Sequence, residues 1–335
     1  MNTDIAIFAS SFPLKSDLAG STFLVTGATG LIGSVLIRCL LRLGDDIRII
    51  APVRNLAKAQ EMFADAGDRL EFMQCDLETA DYSALGSVDF IVHCAAPTSS
   101  RFFVEHPVET FEVIVGGTSS LLKYAAAHPV KGFVYLSSLE VYGTTDRLDS
   151  IPEEVQGYWS VTDVRSSYPV AKRAAEHLCH LYAKEYGVPV KIARLTQTTG
   201  AGISKDDGRV IAQFARCAAR HQDIVLHSTG ESARPYCYTT DAVGAILYIL
   251  LRGQSGEPYN VANPGTYISA RALAEFVKEN LAPDINVVTQ IRDDMGYAPA
   301  SFLPLDTSKL ESLGWKSGYS LYDILKRLVE YLDED

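Results

Sequence analysis

The sequence predicts an α/β protein with a doubly wound parallel sheet and a smaller carboxyl-terminal lobe. Short apolar runs alternate with helical stretches up to Leu195, and a glycine-rich turn follows the first run. The length of 335 residues suits one α/β domain with an appended lobe. Strands that are covered on both faces are continuously apolar, as these runs are. The alternation therefore indicates a parallel sheet between two layers of helices.

The regular pattern begins at Ser21, after residues 1–20, which we expect to form a surface extension with a short helix. Apolar runs predict strands at Phe23–Thr26, Ile47–Val53, Leu70–Gln74, Phe90–Cys94, Phe133–Ser137 and Val190–Arg194. Helices are predicted at Leu31–Leu43, Ala57–Ala66, Pro107–Ala127, Val170–Tyr186, Arg209–Arg220, Thr240–Leu251, Ala270–Asn280 and Leu321–Leu332. We expect one domain over residues 21–195, which also receives part of 236–262, and a substrate-binding lobe over 196–335.

The bulk composition excludes several classes of protein. A net charge of −11 without a run of Lys or Arg argues against nucleic-acid binding, which depends on a basic surface. A mean hydropathy of +0.05 fits a globular protein, and the apolar stretch Leu31–Leu43 is too short to span a bilayer. The first twenty residues lack the pattern of a signal peptide. Six scattered cysteines without a C-x-x-C pair fit a reducing compartment, so a cytoplasmic location is expected.

A dinucleotide site is predicted by the segment Gly27-Ala-Thr-Gly30-Leu-Ile-Gly33, between the first strand and the first regular helix. Glycines let the backbone turn tightly and approach a pyrophosphate, whose charge is met by the helix N-terminus. The alternative is a tight turn without a ligand. We expect a Rossmann-type domain that binds NADP or NAD through Gly27, Thr29, Gly30, Leu31, Ile32 and Gly33.

The end of the second strand bears on the choice of cofactor. An acidic residue about twenty positions after the glycine turn would hold the ribose 2′-hydroxyl of NAD, but this strand ends in Arg54. Arg54, assisted by Lys58, can accommodate the 2′-phosphate of NADP; the alternative is a solvated arginine on a loop. Asp76, after the third strand, is placed to meet the adenine, or else it caps a helix.

The segment Tyr168-Pro-Val-Ala-Lys172 places a phenol and an ammonium on one helix face. The ammonium and the positive ring of the cofactor are expected to lower the pKa of Tyr168, so that it can exchange a proton with a substrate hydroxyl. Ser138 follows a strand at the edge where open α/β sheets bind ligands, and it can hydrogen-bond the reacting oxygen. Taken alone it would more often be a cap or turn residue. Glu140 is a candidate second base or electrostatic group.

In this order, the motifs resemble those of the extended short-chain dehydrogenase/reductases that modify nucleotide sugars. The likeness covers almost the whole chain after Ser21 and includes His93-Cys-Ala-Ala96 and Arg234-Pro-Tyr-Cys-Tyr-Thr-Thr-Asp241. It implies a cofactor site that also contains Asp76, Leu77, Ala95, Ala96, Pro97, Tyr168 and Lys172. It implies a nucleotide-diphosphate sugar or polyol as substrate, bound by Ser99, Arg165, Gln197, Arg209 and Arg234. A homodimer through the helices around Pro107–Ala127 and Val170–Tyr186 is also implied.

Among these enzymes the sequence looks most like the UDP-glucuronate decarboxylases, which oxidise the sugar at C4 and later return the hydride. The segments Ala95–Ser99, Ser138–Gly143, Arg165–Tyr168 and Asp207–Val210 carry this likeness. Dehydratases and decarboxylases resemble this chain in having Glu at position 140, where 4-epimerases usually have Thr or a small residue. Dehydratases also have an Asp just before it, so Leu139 disfavours dehydration.

Three departures keep other activities open. Gln197-Thr-Thr-Gly200-Ala-Gly202 replaces the usual Asn-x-x-Gly-Pro-Arg, Ile114 replaces a usual Asn, and Arg54 resembles NADP-dependent reductases, whereas decarboxylases hold NAD. The alternative function is a 4-epimerase or an NADPH-dependent reductase of another nucleotide-linked sugar or polyol. A non-catalytic dinucleotide-binding regulator is a third reading. No metal site is predicted, and we interpret as structural the histidines His93, His177 and His180.

Overall fold

A computed structural model describes residues 1–82, 85–146, 149–292 and 300–333. Its strands are β1 (Thr22–Thr26), β2 (Arg48–Val53), β3 (Leu70–Gln74), β4 (Phe90–His93), β5 (Gly132–Ser138), β6 (Val190–Leu195), β7 (Gln197–Thr199), β8 (Ile224–Leu226), β9 (Ala233–Tyr238), β10 (Pro258–Val261), β11 (Asn263–Ser269) and β12 (Val287–Thr289). Its helices are α1 (Asn2–Ser11), α2 (Leu31–Leu43), α3 (Leu56–Met62), α4 (Ser100–Glu105), α5 (Pro107–Ala127), α6 (Ser167–Glu185), α7 (Val210–Ala219), α8 (Thr239–Arg252), α9 (Ala270–Leu281), α10 (Ser308–Glu311) and α11 (Leu321–Asp333). Short 3₁₀ helices lie at Lys15–Leu18, Gly67–Arg69, Leu139–Tyr142 and Val164–Ser166.

The central sheet has seven parallel strands in the order β10-β6-β5-β4-β1-β2-β3. From β1 the chain winds outward through β2 to β3, and it then crosses back to β4 and winds the other way. The strand order therefore reverses between β1 and β4, and a crevice opens outside their carboxyl ends. This confirms the predicted doubly wound α/β class.

Two helical layers cover this sheet, as its continuously apolar strands require. One core cluster packs α2 and α8 on one face, and a second packs α5 and α6 on the other. The edge strand β10 brings residues 258–261 back to the sheet beside β6. The division of the chain near residue 195 into a dinucleotide domain and a substrate lobe stays a prediction.

The first twenty residues contain the predicted helix and are mostly exposed, but several of their apolar side chains pack into the core, which a surface extension does not predict. Ile5, Phe8, Phe12 and Leu18 are buried in the core cluster that also holds α2 and α8. The ring of Phe12 meets Tyr248 of α8 edge-on, with 5.9 Å between centroids. Burial of these apolar side chains against α2 and α8 is favourable, because it removes apolar surface from water. The sequence pattern of α1 is too short and irregular to predict this burial.

Helix α6 begins at Ser167, three residues before the predicted start. Pro169 lies in its first turn, where the missing N–H of proline leaves no helical hydrogen bond unmade. As a result Tyr168 is part of the helix. By contrast, the predicted bounds of β3, α2 and α5 are confirmed.

The carboxyl-terminal part forms a smaller lobe. Its three-stranded sheet has the order β11-β9-β7, and α7, α9 and α11 pack around a separate apolar cluster. Strand β9 carries Arg234, whose charge opposes the rise in the pKa of Glu140. No helix within the described ranges is long and apolar enough to cross a membrane.

Candidate active site

The glycine turn joins β1 to α2 at the crevice. Gly27 has a φ of +68°, and a Cβ there would lie 2.8 Å from the backbone nitrogen of Ala95. A Cβ on Gly33 would lie 2.2 Å from the carbonyl oxygen of Gly27, so only glycine lets α2 approach the turn this closely. Gly30 precedes α2 as its N-cap. This cradle, which any side chain would fill, fits the pyrophosphate of a dinucleotide.

The remaining predicted cofactor residues surround this turn. Leu31 and Ile32 open α2, Thr29 precedes it, and Ala95 donates its N–H to Thr26 of β1 at 3.2 Å. Ala95, Ala96 and Pro97 follow β4, the neighbouring strand of β1. Consecutive loops at one sheet edge therefore form the expected nicotinamide side of the crevice.

The other side of the crevice lies beyond β2 and β3. Arg54 follows β2 and is exposed, and its guanidinium makes no ion pair or hydrogen bond within the described residues. Lys58 is also exposed, and its backbone N–H is capped by Asn55 at 2.9 Å. Asp76 and Leu77 follow β3, and Leu77 packs beside Gly117 of α5. The alternative of Asp76 as a helix cap is wrong, since a turn and not a helix follows it.

Tyr168 and Lys172 lie one turn apart on α6, both buried, at 7% and 3% exposure. The Nζ atom of Lys172 donates to the carbonyl oxygen of Leu136 at 2.7 Å. It lies 4.7 Å from the ring centroid of Tyr135 and 5.8 Å from that of Tyr168. The helix thus brings both groups to the carboxyl end of β5.

The surroundings that the chain itself gives Tyr168 raise its pKa, and the predicted lowering, which also depends on the positive ring of the cofactor, stays a prediction. Burial and the nearby Glu140 carboxylate raise the pKa of Tyr168, and a hydrogen bond with Ser138 offsets only part of this. Burial also lowers the pKa of Lys172 to about 8, against the opposing effect of Glu176. Burial therefore affects the pKa of Tyr168 more than the nearby ammonium of Lys172 does, because a buried phenolate loses its hydration.

Ser138 and Glu140 lie beside this pair, as the sequence order predicted. The Oγ atom of Ser138 accepts the backbone N–H of Glu140 at 3.2 Å and caps the 3₁₀ helix Leu139–Tyr142. It therefore has the capping role and the contact with Tyr168 together. Burial raises the pKa of Glu140, and the charges of Arg234 and Arg165 oppose this rise. Two arginines from distant parts of the chain thus face the Glu140 carboxyl.

The predicted substrate residues differ in their surroundings. Arg234 donates to Ser301 at 3.0 Å. Arg165 lies in the 3₁₀ helix just before α6, Ser99 precedes α4, and Gln197 begins β7. Arg209 pairs with Asp207 at 2.6 Å, and its Nη1 atom donates to Thr198, so it has less freedom to bind a diphosphate than Arg234 has.

Other residues at the site were not found from the sequence. Arg173, next to Lys172, donates to the carbonyl oxygens of Val141 and Gly157 at 2.6 and 2.7 Å and so holds the loop that carries Glu140. Trp159 donates to the backbone oxygen of Glu140 at 2.8 Å. Their contacts join segments far apart in sequence, so no local pattern pointed to them.

The ring of Phe103 stacks on the ring of Tyr168, with 4.3 Å between centroids and an angle of 6°. Phe103 belongs to the short helix α4, which the sequence pattern did not predict. The aromatic pair at positions 102 and 103, close before the start of α5, was the only local signal.

The histidine interpretation is confirmed for His93. Its two ring nitrogens lie 2.7 Å from the hydroxyl of Thr26 and 3.2 Å from that of Thr118. Burial lowers the pKa of His93 to about 3, so the ring is neutral. All six cysteines are free thiols.

Known proteins are similar to this chain in sequence and in fold. A model of the NAD dependent epimerase/dehydratase family matches residues 23–262. The chain is 31% identical to UDP-glucuronic acid decarboxylase 6 of Arabidopsis thaliana, over 95% of this chain and 92% of that protein. It is 26% identical to UDP-glucuronic acid decarboxylase 1 of Xenopus tropicalis, over 93% of this chain and 72% of the relative.

Two solved structures share the fold. The UDP-glucose 4-epimerase of Thermotoga maritima has a TM-score of 0.79 at 25% identity, covering 92% of this chain and 98% of the epimerase. A dTDP-glucose 4,6-dehydratase of Streptomyces venezuelae with bound NAD has a TM-score of 0.77 at 26% identity, covering 94% and 97%. The chain belongs to the NAD dependent epimerase/dehydratase family and is a dinucleotide-dependent enzyme of the extended short-chain dehydrogenase/reductase type.

Proposed function

We propose that this enzyme oxidises a nucleotide-linked sugar at C4, and that with UDP-glucuronate the oxidation leads to loss of the C6 carboxyl group. The observation that carries this proposal is Glu140 beside Tyr168, faced by Arg165 and Arg234. Oxidation at C4 needs one proton-transfer group, whereas chemistry at C5 and C6 benefits from a second. The similarity to UDP-glucuronic acid decarboxylases supports the same substrate.

Three side chains of the enzyme take part in the proposed oxidation at C4. A dinucleotide whose pyrophosphate is held by the glycine cradle Gly27–Gly33 would supply the acceptor for the hydride of C4 and its later return. Tyr168 takes the proton of the C4 hydroxyl, and Ser138 hydrogen-bonds the same oxygen. The ammonium of Lys172 favours the phenolate that Tyr168 must reach in the oxidation step.

Glu140 acts after the oxidation. The 4-keto sugar acid is a β-keto acid, so the C5–C6 bond breaks, its electron pair moves toward the C4 carbonyl, and carbon dioxide leaves. C5 then needs a proton. Because burial raises the pKa of Glu140, its carboxyl holds a proton to higher pH than an exposed one and can donate it there. Leu139 is buried among apolar side chains and cannot supply the acid that dehydration needs.

The test is incubation of the full chain with UDP-glucuronate and either NAD or NADP, with carbon dioxide and the nucleotide product measured. Tyr168→Phe is expected to lose turnover by about 10²–10⁴-fold while still binding dinucleotide. Glu140→Gln is expected to keep oxidation at C4 and carbon dioxide release but to slow formation of the final nucleotide product, because C5 then lacks its proton donor. If neither carbon dioxide nor a keto sugar is detected, the enzyme does not decarboxylate UDP-glucuronate. Unchanged turnover in Tyr168→Phe would favour a non-catalytic regulator.

The cofactor of the proposal is NADP or NAD, and the Arg54 guanidinium, which has no partner in the described part of the chain, favours NADP. A ribose 2′-phosphate would give Arg54 a charge-assisted partner. Arg54→Asp is expected to reverse the ratio of the two affinities in a direct binding titration. Arg48→Asp, at the opposite end of β2, is the matched control and should leave the ratio unchanged. Tighter binding of NAD by the unmodified chain would contradict the preference.

The same arginine keeps the second candidate function open, a 4-epimerase or an NADPH-dependent reductase of another nucleotide-linked sugar or polyol. Decarboxylases and epimerases regenerate their cofactor, whereas a reductase consumes it. Stoichiometric loss of NADPH with a keto substrate would select the reductase. Catalytic amounts of cofactor sufficing for complete conversion would exclude it.

A homodimer is proposed through the outer faces of α5 and α6. Val108 and Phe111 on α5 and Leu181 on α6 are 63%, 38% and 43% exposed. Burial of these apolar side chains against a second copy of the chain would be favourable. Light scattering during gel filtration should give twice the chain mass, and Phe111→Glu with Leu181→Glu should give the monomer. A cytoplasmic location stays a prediction.

A further inference from the structure

The stacked pair of Phe103 and Tyr168 is the closest aromatic contact that the proton-transfer residue makes. The two rings are 6° from parallel with 4.3 Å between centroids, and both residues are buried, at 5% and 7% exposure. Phe103 therefore covers one face of the Tyr168 ring with apolar surface. Only the other face and the hydroxyl edge stay available to other groups.

Helix α4 is tied to the first turn of α6 at this contact. The backbone oxygen of Phe103 accepts the hydroxyl of Ser167, the residue before Tyr168, at 3.2 Å. The backbone N–H of Phe103 donates to Ser99 at 3.2 Å. The neighbouring Phe102 has a different partner, since its ring stacks on His106 at 4.8 Å. Of the two adjacent phenylalanines, only Phe103 acts on the proposed proton-transfer residue.

We propose that Phe103 is a positioning residue, which holds the phenol of Tyr168 in line with Ser138 and keeps water from one face of its ring. The inference deepens the proposed function, because it rests on Tyr168 as the proton-transfer group. A flat neighbour at this distance resists both tilting of the Tyr168 ring and its rotation about the Cβ–Cγ bond, because either movement would push one ring into the other. The oxygen is thereby kept at the end of β5, where Ser138 hydrogen-bonds it.

The stack also acts on the charge of Tyr168. The face of a phenyl ring is electron-rich, so it favours a neutral phenol over a phenolate, as does the exclusion of water. The other groups that face Tyr168 are Glu140 from the 3₁₀ helix, Ser138 and Tyr135 from β5, and Lys172 from its own helix. Arg165 and Arg234 act on it through Glu140. Removal of the Phe103 ring should therefore lower the pKa of Tyr168.

The first test needs no sugar substrate. The full chain with saturating NADP or NAD is titrated toward alkaline pH while phenolate absorbance is recorded, and the titration of Tyr168→Phe is subtracted to isolate Tyr168. In Phe103→Ala the phenolate should appear at a pH about one unit lower than in the unmodified chain. Phe102→Ala, which leaves the stack intact, should match the unmodified chain. Coincident curves for Phe103→Ala and Phe102→Ala would overturn the proposal.

The second test is kinetic, with UDP-glucuronate as the probe. Phe103→Ala should lower kcat by up to about 10²-fold with little change in KM, and Phe103→Tyr should restore it. If Phe103→Ala does not fold, Phe103→Leu keeps apolar volume without a ring and gives the same comparison. A shifted titration without turnover in any variant would contradict the proposed function alone. Turnover that Phe103→Ala and Phe102→Ala affect equally would contradict the positioning role alone.

Discussion

At the scale of single residues, the glycine turn has no space for a Cβ atom at Gly33. A Cβ at Gly33 would lie 2.2 Å from the carbonyl oxygen of Gly27, which is backbone and has little freedom to move. The first turn of α2 therefore presents its N–H groups to the crevice at a distance that no other residue permits.

Gly33→Ala is accordingly expected to weaken folding and cofactor binding together. Overlap with fixed backbone should lower the free energy of unfolding by about 1–3 kcal/mol and reduce dinucleotide affinity. Urea unfolding and a dinucleotide titration measure the two effects. Gly208→Ala is the control, because nothing lies within 4 Å of its Cβ. An unchanged affinity in Gly33→Ala would contradict the assigned cofactor cradle.

Lys172, which we propose to support Tyr168, shows how a buried cation can lower stability. Burial lowers the pKa of Lys172 to about 8 from its usual 10.5, so the folded protein below pH 8 carries a poorly hydrated ammonium. Between pH 8 and 10.5 the unfolded chain binds the proton that the folded chain has lost, and stability should rise with pH across this range.

Lys172→Met should therefore raise the free energy of unfolding at pH 7 by about 1–3 kcal/mol. That gain should shrink as the pH rises from 8 to 10.5. The same variant should abolish turnover, because it removes the ammonium proposed to support Tyr168. Lys191→Met is the matched control, because burial also lowers the pKa of Lys191 to about 8, but its Nζ atom bonds Leu250 away from the site. It should gain stability and keep activity. A loss of stability in Lys172→Met would contradict this account.

At the scale of elements, helix α1 joins the two lobes. Asp4 is buried at 5% exposure, accepts the hydroxyl of Tyr238 at 2.8 Å and pairs with Arg327 of α11. Tyr238 ends β9 in the smaller lobe, whereas Phe8 and Phe12 of the same helix lie in the core of the main sheet. The helix therefore contacts both lobes.

Asp4→Ala should lower the free energy of unfolding by about 1–3 kcal/mol, since it leaves the buried Tyr238 hydroxyl without its acceptor. Asp17→Ala is the control, because its ion pair with Arg252 is exposed and worth about 0–1 kcal/mol. Urea unfolding of both variants gives the comparison. Equal effects would mean that the segment lies on the surface, as the sequence pattern suggested.

At the scale of the whole molecule, one buried polar network crosses from α6 to the last strand of the sheet. Arg194 of β6 pairs with Glu176 of α6 at 2.7 Å and donates to the hydroxyl of Tyr142 at 3.1 Å. Tyr142 in turn donates to Asn260 of β10 at 2.6 Å. The loop that carries Glu140 is thus held by β6 and β10, the two neighbouring strands at one edge of the main sheet.

Tyr142→Phe should lower the free energy of unfolding by about 1–3 kcal/mol, because it leaves Asn260 and Arg194 each short of a buried partner. Tyr82→Phe is the control, since the buried hydroxyl of Tyr82 has no hydrogen-bond partner among the described residues. Thermal unfolding, followed together with turnover, should show a loss of both in Tyr142→Phe. Equal melting temperatures in the two variants would contradict the role of the network.

The fold was largely predictable because its signals are local and repeated. Continuously apolar strands, amphipathic helices and the turn Gly27–Gly33 each depend on a few neighbouring residues, and they predicted the parallel sheet. The elements α4, α10 and β7 to β12 were not predicted. Most of them have three to six residues, which are too few positions to show a period.

The sequence by itself determined the α/β class, the dinucleotide turn, and the order in which Ser138, Glu140, Tyr168 and Lys172 reach the carboxyl edge of the sheet. Each follows from spacing along the chain. Only the tertiary structure decided that Phe103 stacks on Tyr168, that Ile5, Phe8, Phe12 and Leu18 are buried, and that the surroundings of Tyr168 raise its pKa. These depend on burial and on contacts between residues far apart in sequence, and no local pattern encodes either.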